Sequence, residues 1–231
     1  MRECNIKNDI LNVIIPKIET KINVYEKDII SKQETNYGDL KILLNGVIKV
    51  SCILIDGNEL ILGIYKAPVI FIPKLTYNNS FVSLFNVVAL SKCELGIIKE
   101  HTFVDMLKES PNLSINFIEY SDLVSQMIFM QMRSALVNNK KKALMSILLR
   151  LYNIYGLEDS NKQIINFKIS NVLLSKFINT STETISRLLS ELKKENLISI
   201  NSGFFEIIDI AYLKSELGCC FCNNTLCHSS L

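Results

Sequence analysis

The spacing of apolar and polar residues changes several times along the chain. Between about residues 22 and 104, short apolar runs alternate with turn residues, which is typical of β-strands. Asn45-Gly46 and Asp56-Gly57-Asn58 are two of the turn signals between them. The predicted strands cover residues 22–25, 40–44, 47–53, 59–65, 69–72, 81–88 and 94–98. Many short strands at regular spacing predict a β-sandwich or β-roll.

Helical spacing appears on both sides of this region. Residues 1–20 suit a short amphipathic helix that is interrupted at Pro16, and Pro111 opens a long helix that runs to about residue 136. Apolar residues recur along the long helix at alternating steps of four and three, which is typical of a coiled-coil seam. We interpret this stripe as a dimer seam, and the alternative is a helix that packs on its own domain. The predicted seam residues are Leu113, Phe117, Tyr120, Val124 and Met127.

Residues 139–217 show a third pattern. A helix at about 141–155 stops at Gly156, two further helices cover 170–178 and 181–195, and a hairpin follows at 197–208. Asn179 falls in the break between the two helices, where a left-handed backbone is often required. A helix-turn-helix followed by a hairpin is the winged-helix pattern. The fold class is therefore α+β, with a β-roll at 1–110, a dimerisation helix at 111–138, a winged helix-turn-helix at 139–217 and a cysteine-rich tail at 218–231.

Composition limits the classes of function. The chain has 231 residues, of which 48% are hydrophobic and 21% charged, so it can bury a core. The net charge of +2 implies that any nucleic-acid binding comes from a local patch, and residues 140–218 are the basic part. Only two histidines are present, which disfavours a histidine-based metal enzyme. No signal peptide is evident and no apolar run reaches the ~18 residues of a membrane span, so we expect a cytoplasmic protein with reduced thiols.

The second helix of the predicted helix-turn-helix carries the residues suited to reading DNA. Glu183, Ser186 and Arg187 share its outer face near the N-terminus, where such helices meet base edges. Arginine can bond guanine O6 and N7 together, and glutamate can accept from cytosine N4. Two alternatives remain open. Thr180-x-x-Glu183 fits a capping box, and Arg187 could contact only a phosphate or a neighbouring glutamate.

The cysteine tail is the second candidate site. Four of the seven cysteines lie in the last 13 residues, and Cys219, Cys222 and Cys227 give the spacing C-x2-C-x4-C. Thiolates are soft donors that suit zinc or an iron–sulfur cluster, and zinc would want a fourth ligand such as His228 or Cys220. Composition does not separate these options from a tail of unligated thiols.

The segment Glu183-Thr-Ile-Ser186-Arg187 resembles the recognition-helix signature of the Crp/Fnr family of bacterial transcription regulators. The resemblance extends over nearly the whole chain, from the β-roll through the long helix to the winged helix. It implies a cyclic-nucleotide-binding-like roll, or double-stranded β-helix, in a homodimer that binds double-stranded DNA and acts with RNA polymerase. It also implies an inverted repeat with TGA-like half-sites, base reading by Glu183, Ser186 and Arg187, and phosphate contacts by Ser170, Ser181 and Thr182.

The roll differs from the cyclic-nucleotide branch of that family. That branch has a Gly-Glu pair and a downstream arginine, whereas residues 67–74 contain neither glycine nor acid and no arginine follows before Arg133. A buried phosphate without a guanidinium would be poorly compensated, so we expect no cAMP binding.

The tail resembles that of the Fnr proteins of Gram-positive bacilli, in which C-x2-C-x4-C holds an oxygen-sensing 4Fe–4S cluster. The resemblance implies Cys219, Cys222 and Cys227 as ligands. In those proteins the fourth ligand is an aspartate at the end of the dimer helix, a place taken here by Ser134. Ser134 and Cys220 are the candidate fourth ligands, with Asp122 or solvent as further options. DNA binding could instead be controlled by a zinc site, by a set of unligated thiols in the tail or by a small ligand in the roll. An enzyme, a thiol oxidoreductase, is the alternative to a DNA-binding regulator.

Overall fold

The computed structural model describes residues 2–35, 38–71, 83–137, 139–157 and 162–219. The chain divides into two compact units, the first reaching Ser125 and the second beginning at Gln126. The boundary falls inside the long helix.

Two four-stranded antiparallel sheets form the main part of the first unit. They are preceded by helix α1 (Arg2–Ile14), which gives way to a 3-10 turn at Ile15–Lys17 because Pro16 lacks the backbone N–H that would continue the helix. The strand order is β1-β8-β3-β6 in one sheet and β2-β7-β4-β5 in the other, so the predicted β-roll is confirmed. The strands are β1 (Thr20–Val24), β2 (Ile29–Ser31), β3 (Leu40–Asn45), β4 (Val47–Ile53), β5 (Glu59–Lys66), β6 (Val69–Phe71), β7 (Asn86–Ala89) and β8 (Cys93–Ile98).

The predicted turn at Asn45-Gly46 joins β3 to β4. Gly46 has a φ of +103°, and a Cβ at this position would collide with the Cys93 thiol and the Lys92 carbonyl. Only glycine fits this turn without displacing the neighbouring strand.

Two apolar clusters stabilise the first unit. One lies within the roll and contains Leu43, Ile48, Val87 and Leu95 among its buried residues. The other joins the roll to α1, to helix α2 (Glu100–Glu109) and to the start of helix α3 (Pro111–Val137). Its centre is Phe103, fully buried, whose ring meets that of Phe117 edge to face with centroids 4.9 Å apart.

The structure corrects the predicted dimer seam on α3. Leu113, Phe117 and Tyr120 are 2%, 6% and 5% exposed and belong to the core of the first unit, and Val124 packs against the same cluster. Met127 is also buried, at 7% exposure. Leu113, Phe117 and Tyr120 are therefore covered within one chain, as the alternative interpretation held for them. Helical periodicity identifies an apolar stripe but does not say which surface covers it.

The second unit is a winged helix, as predicted. Its elements are α4 (Lys140–Tyr155), β9 (Gln163–Ile165), α5 (Asn171–Ile178), α6 (Thr182–Lys194), β10 (Ile198–Asn201), β11 (Phe204–Ile207) and α7 (Ile210–Glu216). The three strands pair in the order β10-β11-β9. Asn179 caps α5 with a φ of +48°, the left-handed conformation expected for the turn.

Several short elements differ from the sequence predictions. The strand predicted at 81–88 is Asn86–Ala89, residues 83–85 lie outside any strand, and residues 81–82 lie outside the described part. Strands β2 and β9 and helix α2 were not predicted. Each of the two strands has three residues, too few for a period of two to stand out. No helix within the described ranges is both long and apolar enough to cross a membrane.

Candidate nucleic-acid interface and cysteine tail

Helix α6 has one apolar and one polar face. Ile185, Leu188, Leu189 and Leu192 are buried in the winged helix at 0–6% exposure. The opposite side is formed by four exposed residues at steps of three and four, which we call the reading face: Glu183, Ser186, Arg187 and Ser190. Because the two sets alternate with the helical period, exposed polar groups and core groups occupy opposite sides of one helix.

Serine side chains cap both helices of the helix-turn-helix. The Ser170 hydroxyl accepts a hydrogen bond from the Leu173 N–H at 3.1 Å, and the Ser181 hydroxyl accepts one from the Thr184 N–H at 3.2 Å. The capping box considered for Thr180 and Glu183 is therefore wrong, because the N-cap is one residue later. Ser170, Ser181 and Thr182 lie at helix N-termini, where backbone N–H groups and the helix dipole favour anions such as phosphate.

Asn171 is a residue that the sequence reasoning missed. It is the first residue of α5, and it lines one open cleft together with Thr182 and the reading face. Its position directly after the capping Ser170, at the N-terminus of a helix, is the sequence feature that could have identified it as a residue of the site.

The reading face offers both a hydrogen-bond acceptor and a donor. The pKa of the Glu183 carboxyl lies below its ordinary value, because its own backbone N–H and the hydroxyls of Ser181 and Thr182 hydrogen-bond to it. The carboxyl is therefore an ionised acceptor at neutral pH. Among the residues that the structure describes, none forms a hydrogen bond or ion pair with the Arg187 guanidinium, so its five donors face solvent.

Three consecutive lysines, Lys140–Lys142, connect the first turn of α4 to other elements of the winged helix. We call them the lysine run. Lys140 Nζ donates to the Thr180 hydroxyl at 2.8 Å, in the turn before α6. Lys141 Nζ contacts both carboxylate oxygens of Glu195, the C-cap of α6, at 2.6 and 2.7 Å. The turn before α6 and its C-terminal end are thus both tied to α4.

The third lysine of the run contacts α7. Lys142 Nζ lies 3.0 Å from a carboxylate oxygen of Glu216 and donates to the Glu216 backbone carbonyl at 3.2 Å. Hydrogen bonding to Glu195 raises the pKa of Lys141, which remains a cation.

Only the first cysteine of the tail belongs to the described residues. Cys219 is half-buried and follows Gly218, whose φ is +64°. Cys220, Cys222, Cys227 and His228 lie outside the described residues, as does the side chain of Ser134. Within the described ranges, no group of three His, Cys, Asp or Glu residues is arranged to hold a metal. Whether the tail suits a metal or cluster is therefore judged from the chemistry of its donor atoms. Three thiols at this spacing suit an iron–sulfur cluster or zinc.

The cysteines of the roll have a different environment. Cys93 is 1% exposed, and its sulfur lies 3.3 and 3.4 Å from the carbonyl oxygens of Ser91 and Val47. It is a thiol of the core.

Comparison with known proteins finds a similar helix-turn-helix domain. Residues 142–216 match the family model of the Crp-like helix-turn-helix domain. The chain is 26% identical over 216 residues to the anaerobic regulatory protein of Bacillus subtilis. This match covers 93% of this chain and 91% of the relative. It is 26% identical over 181 residues to the lactate racemization regulatory protein of Lactiplantibacillus plantarum, covering 76% of this chain and 81% of the relative.

Solved structures of low sequence identity share the fold. FixK2 from Bradyrhizobium japonicum matches with a TM-score of 0.73 at 12% identity, over 85% of this chain and 96% of that one. A CooA mutant from Carboxydothermus hydrogenoformans matches with a TM-score of 0.73 at 16% identity, over 90% and 94%.

A β-roll, a long helix and a winged helix with a polar reading face together define a DNA-binding transcription regulator and not an enzyme. In sequence, residues 142–216 are similar to the Crp-like helix-turn-helix domain, and in fold the chain is similar to solved regulators of the Crp/Fnr family.

Proposed function

We propose that the protein is a homodimeric regulator that binds an inverted repeat in double-stranded DNA through the reading faces of its two α6 helices. The two-fold axis would place these helices in successive major grooves, about 34 Å apart. The observation that carries the proposal is the division of α6 into a buried apolar face and an exposed polar face with a solvent-facing arginine.

The residues of the site have separate proposed roles. Arg187 donates to guanine O6 and N7, and Glu183 accepts from cytosine N4. Resemblance to the Fnr branch of the family implies that Ser186 between them adds discrimination. Ser170, Ser181 and Thr182 bind phosphates at the two helix N-termini. Resemblance to the family supports TGA-like half-sites, and it also supports RNA polymerase as the partner of the DNA-bound dimer.

The dimer contact we propose is a row on α3 different from the buried stripe. Ile115, Ile118 and Phe129 are 53%, 70% and 68% exposed in the single chain. Their positions fit one heptad seam, in which Asp122 and Ser125 fall between Ile118 and Phe129. Large apolar side chains left exposed at this spacing are typical of a helix that pairs with a second copy. We call Ile115, Ile118 and Phe129 the exposed row.

We further propose that the cysteine tail makes the regulator responsive to oxygen or redox state. Cys219, Cys222 and Cys227 would hold a 4Fe–4S cluster, with Ser134 or Cys220 as the fourth ligand. The relative from Bacillus subtilis, named an anaerobic regulatory protein, supports this role because the match covers nearly the full length of both chains. A bound cluster would be an oxygen-labile cofactor. Loss of the cluster would change the balance between two states of the protein that differ in DNA affinity.

The DNA part of the proposal can be tested with the spacing of the half-sites. Fluorescence anisotropy would compare an inverted repeat of TGA-like half-sites with the same half-sites moved apart by about five base pairs, half a helical turn. We expect tight binding to the first duplex and near non-specific binding to the second. Equal affinities would contradict the dimeric, groove-reading model.

The cluster can be tested by anaerobic purification, followed by an absorption spectrum and analysis of iron and sulfide. We expect iron and sulfide in the wild-type protein and their loss in Cys222→Ser. One zinc per chain without sulfide would contradict the cluster and support a zinc site instead. Removal of iron by a chelator should also lower the affinity for the inverted repeat.

A further inference from the structure

The lysine run occupies a position where positive charge is unfavourable. All three lysines lie in the first turn of α4, directly after the N-cap Asn139, and that turn contains no acidic residue. The N-terminus of a helix carries a partial positive charge, so a cation there destabilises the helix unless another group compensates it. The partner of each ammonium group therefore indicates whether that lysine serves the fold.

Two lysines of the run are compensated by carboxylates. Lys141 Nζ lies 2.6 Å from a carboxylate oxygen of Glu195, and Lys142 Nζ lies 3.0 Å from one of Glu216. Both lysines are half-buried, and both pairs join α4 to another helix terminus of the winged helix. These two ammonium groups therefore have structural partners that account for their place in the turn.

The first lysine of the run differs from the other two. Lys140 is exposed, and its ammonium donates to the neutral hydroxyl of Thr180 at 2.8 Å. Among the carboxylates that the structure describes, none forms an ion pair with it. A hydroxyl compensates a cation less than a carboxylate does, because hydrogen bonds between two ionised groups are the stronger ones. Lys140 is thus a net positive charge at the surface of the winged helix.

This charge lies at the start of the helix that carries the reading face. Thr180 directly precedes Ser181, the N-cap of α6, and Thr182, its first residue. An ammonium group has three donors, and the contact with Thr180 uses one of them. The remaining donors of Lys140 and the N–H groups of the first turn of α6 are therefore offered to an acceptor from neighbouring positions.

We propose that Lys140 binds a phosphate of the DNA backbone together with the N-terminus of α6, and that Thr180 holds its ammonium there. The inference rests on the proposed DNA-binding function and adds a cation to phosphate contacts that otherwise consist of hydroxyls and backbone N–H groups. A cation that neutralises a phosphate releases counterions, so it makes binding more dependent on salt. A charge that opposes its own helix is expected where function requires it.

The experiment compares Lys140→Met, Lys140→Arg and Lys142→Met in the full chain. Methionine keeps much of the apolar stem and removes the charge, whereas arginine keeps the charge and its donors. Lys142→Met is the matched control, because it removes the same charge two positions away from a lysine that Glu216 compensates. Anisotropy titrations at several salt concentrations, on the inverted repeat and on a scrambled duplex, give the slope of log affinity against log salt. Urea unfolding gives the stability.

In Lys140→Met we expect weaker binding to both duplexes by the same factor, and a salt slope that is shallower by about one unit for each bound chain. The stability of this variant should equal or exceed that of the wild type, because an uncompensated cation leaves the helix N-terminus. Lys140→Arg should keep the wild-type slope. Lys142→Met should keep the slope as well, and it should be less stable because Glu216 loses its partner.

An unchanged slope in Lys140→Met, or the same change of slope in Lys142→Met, would overturn the inference. Equal losses of stability in these two variants would make Lys140 a structural residue and would overturn it too. A wild-type chain that does not prefer the inverted repeat to the scrambled duplex would refute the proposed function itself. The salt slope on the scrambled duplex would then still decide whether Lys140 binds phosphate.

Discussion

The two units of the protein differ in where they place polar side chains that could carry a function. In the roll, Lys49, Ser51 and Glu59 turn toward one another, with the Glu59 carboxylate 2.6 Å from the Lys49 ammonium and 2.7 Å from the Ser51 hydroxyl. Meanwhile Ile55 and Leu84 are strongly exposed on the surface of that unit. In the winged helix, by contrast, the polar groups of the reading face point outward and the apolar groups of α6 point inward.

This difference indicates which functions can be changed without loss of the fold. Paired polar groups inside a sheet contribute to structure, because removing one partner leaves the other unsatisfied. Residues on an exposed helix face contribute almost nothing to stability and can be selected for DNA contacts alone. Stability and specificity should therefore respond to different substitutions in the two units.

The largest expected effect lies in the first unit. Phe103→Ala removes a fully buried ring from the cluster that joins α2 and α3 to the roll, and should lower the free energy of unfolding by about 3–5 kcal/mol. Urea denaturation followed by circular dichroism measures the loss. Phe85→Ala is the control, because Phe85 is 43% exposed and should change stability by less than about 0.5 kcal/mol. Equal effects of the two would show that Phe103 is not a core residue.

The next largest effect should appear in specificity without a change in stability. Arg187→Ala should weaken binding to the inverted repeat by about 1–3 kcal/mol, because both donors to guanine are lost, and should leave non-specific binding nearly unchanged. Anisotropy titrations at one salt concentration on specific and scrambled duplexes provide the comparison.

Arg187→Lys separates two interpretations of the same arginine. Lysine keeps the charge but not the planar pair of donors, so it should recover phosphate binding and not guanine recognition. Equal losses on both duplexes in Arg187→Ala would reduce Arg187 to a phosphate contact.

A third substitution tests whether any exposed apolar residue of the first unit has a function. Ile118→Glu places a charge in the exposed row and should raise the dissociation constant of the dimer at least tenfold, or about 1.4 kcal/mol. Sedimentation equilibrium measures it. Leu84→Glu is matched in exposure, 62% against 70%, and should leave the dimer intact. Dimerisation that is unaffected by Ile118→Glu would place the interface elsewhere.

A smaller effect is expected at the turn of the helix-turn-helix. Asn179 has a φ of +48°, and alanine in this left-handed conformation should cost about 1 kcal/mol of stability. Asn179→Gly should cost less, because glycine adopts this conformation without strain from a Cβ. Thermal unfolding of both variants makes the comparison. A more stable alanine variant would mean that the turn adopts another conformation.

The smallest expected effect concerns pH. The pKa of the Glu183 carboxyl is lowered from its ordinary value of 4.5. The carboxylate is therefore fully available to accept a hydrogen bond from DNA above pH 4.5, and this contribution to binding is lost only as the pH falls through the lowered pKa. The ratio of specific to non-specific affinity should therefore stay constant between about pH 8 and pH 5.5. Glu183→Gln is the control. A fall in the ratio over this range that is absent in Glu183→Gln would contradict the assignment.

The difference between the units also explains how well each could be predicted. The reading face and the left-handed Asn179 depend on spacing within a few residues of one chain segment, and the structure places both as expected. The N-cap of α6 was harder to predict, because Thr180 and Ser181 are neighbouring candidates and only the backbone geometry selects Ser181. Strands of three residues such as β2 exist because a partner strand pairs with them, which local sequence does not report.

The sequence by itself determined the class of each region, the face of α6 that points to solvent and the donor set of the tail, because these depend on residue type and local period. Only the tertiary structure decided which stripe of α3 is buried in the chain and which element each lysine of the run holds. Both depend on contacts between segments far apart in the chain. One helix has two apolar stripes and three adjacent lysines have the same chemistry, so position in the fold alone distinguishes them.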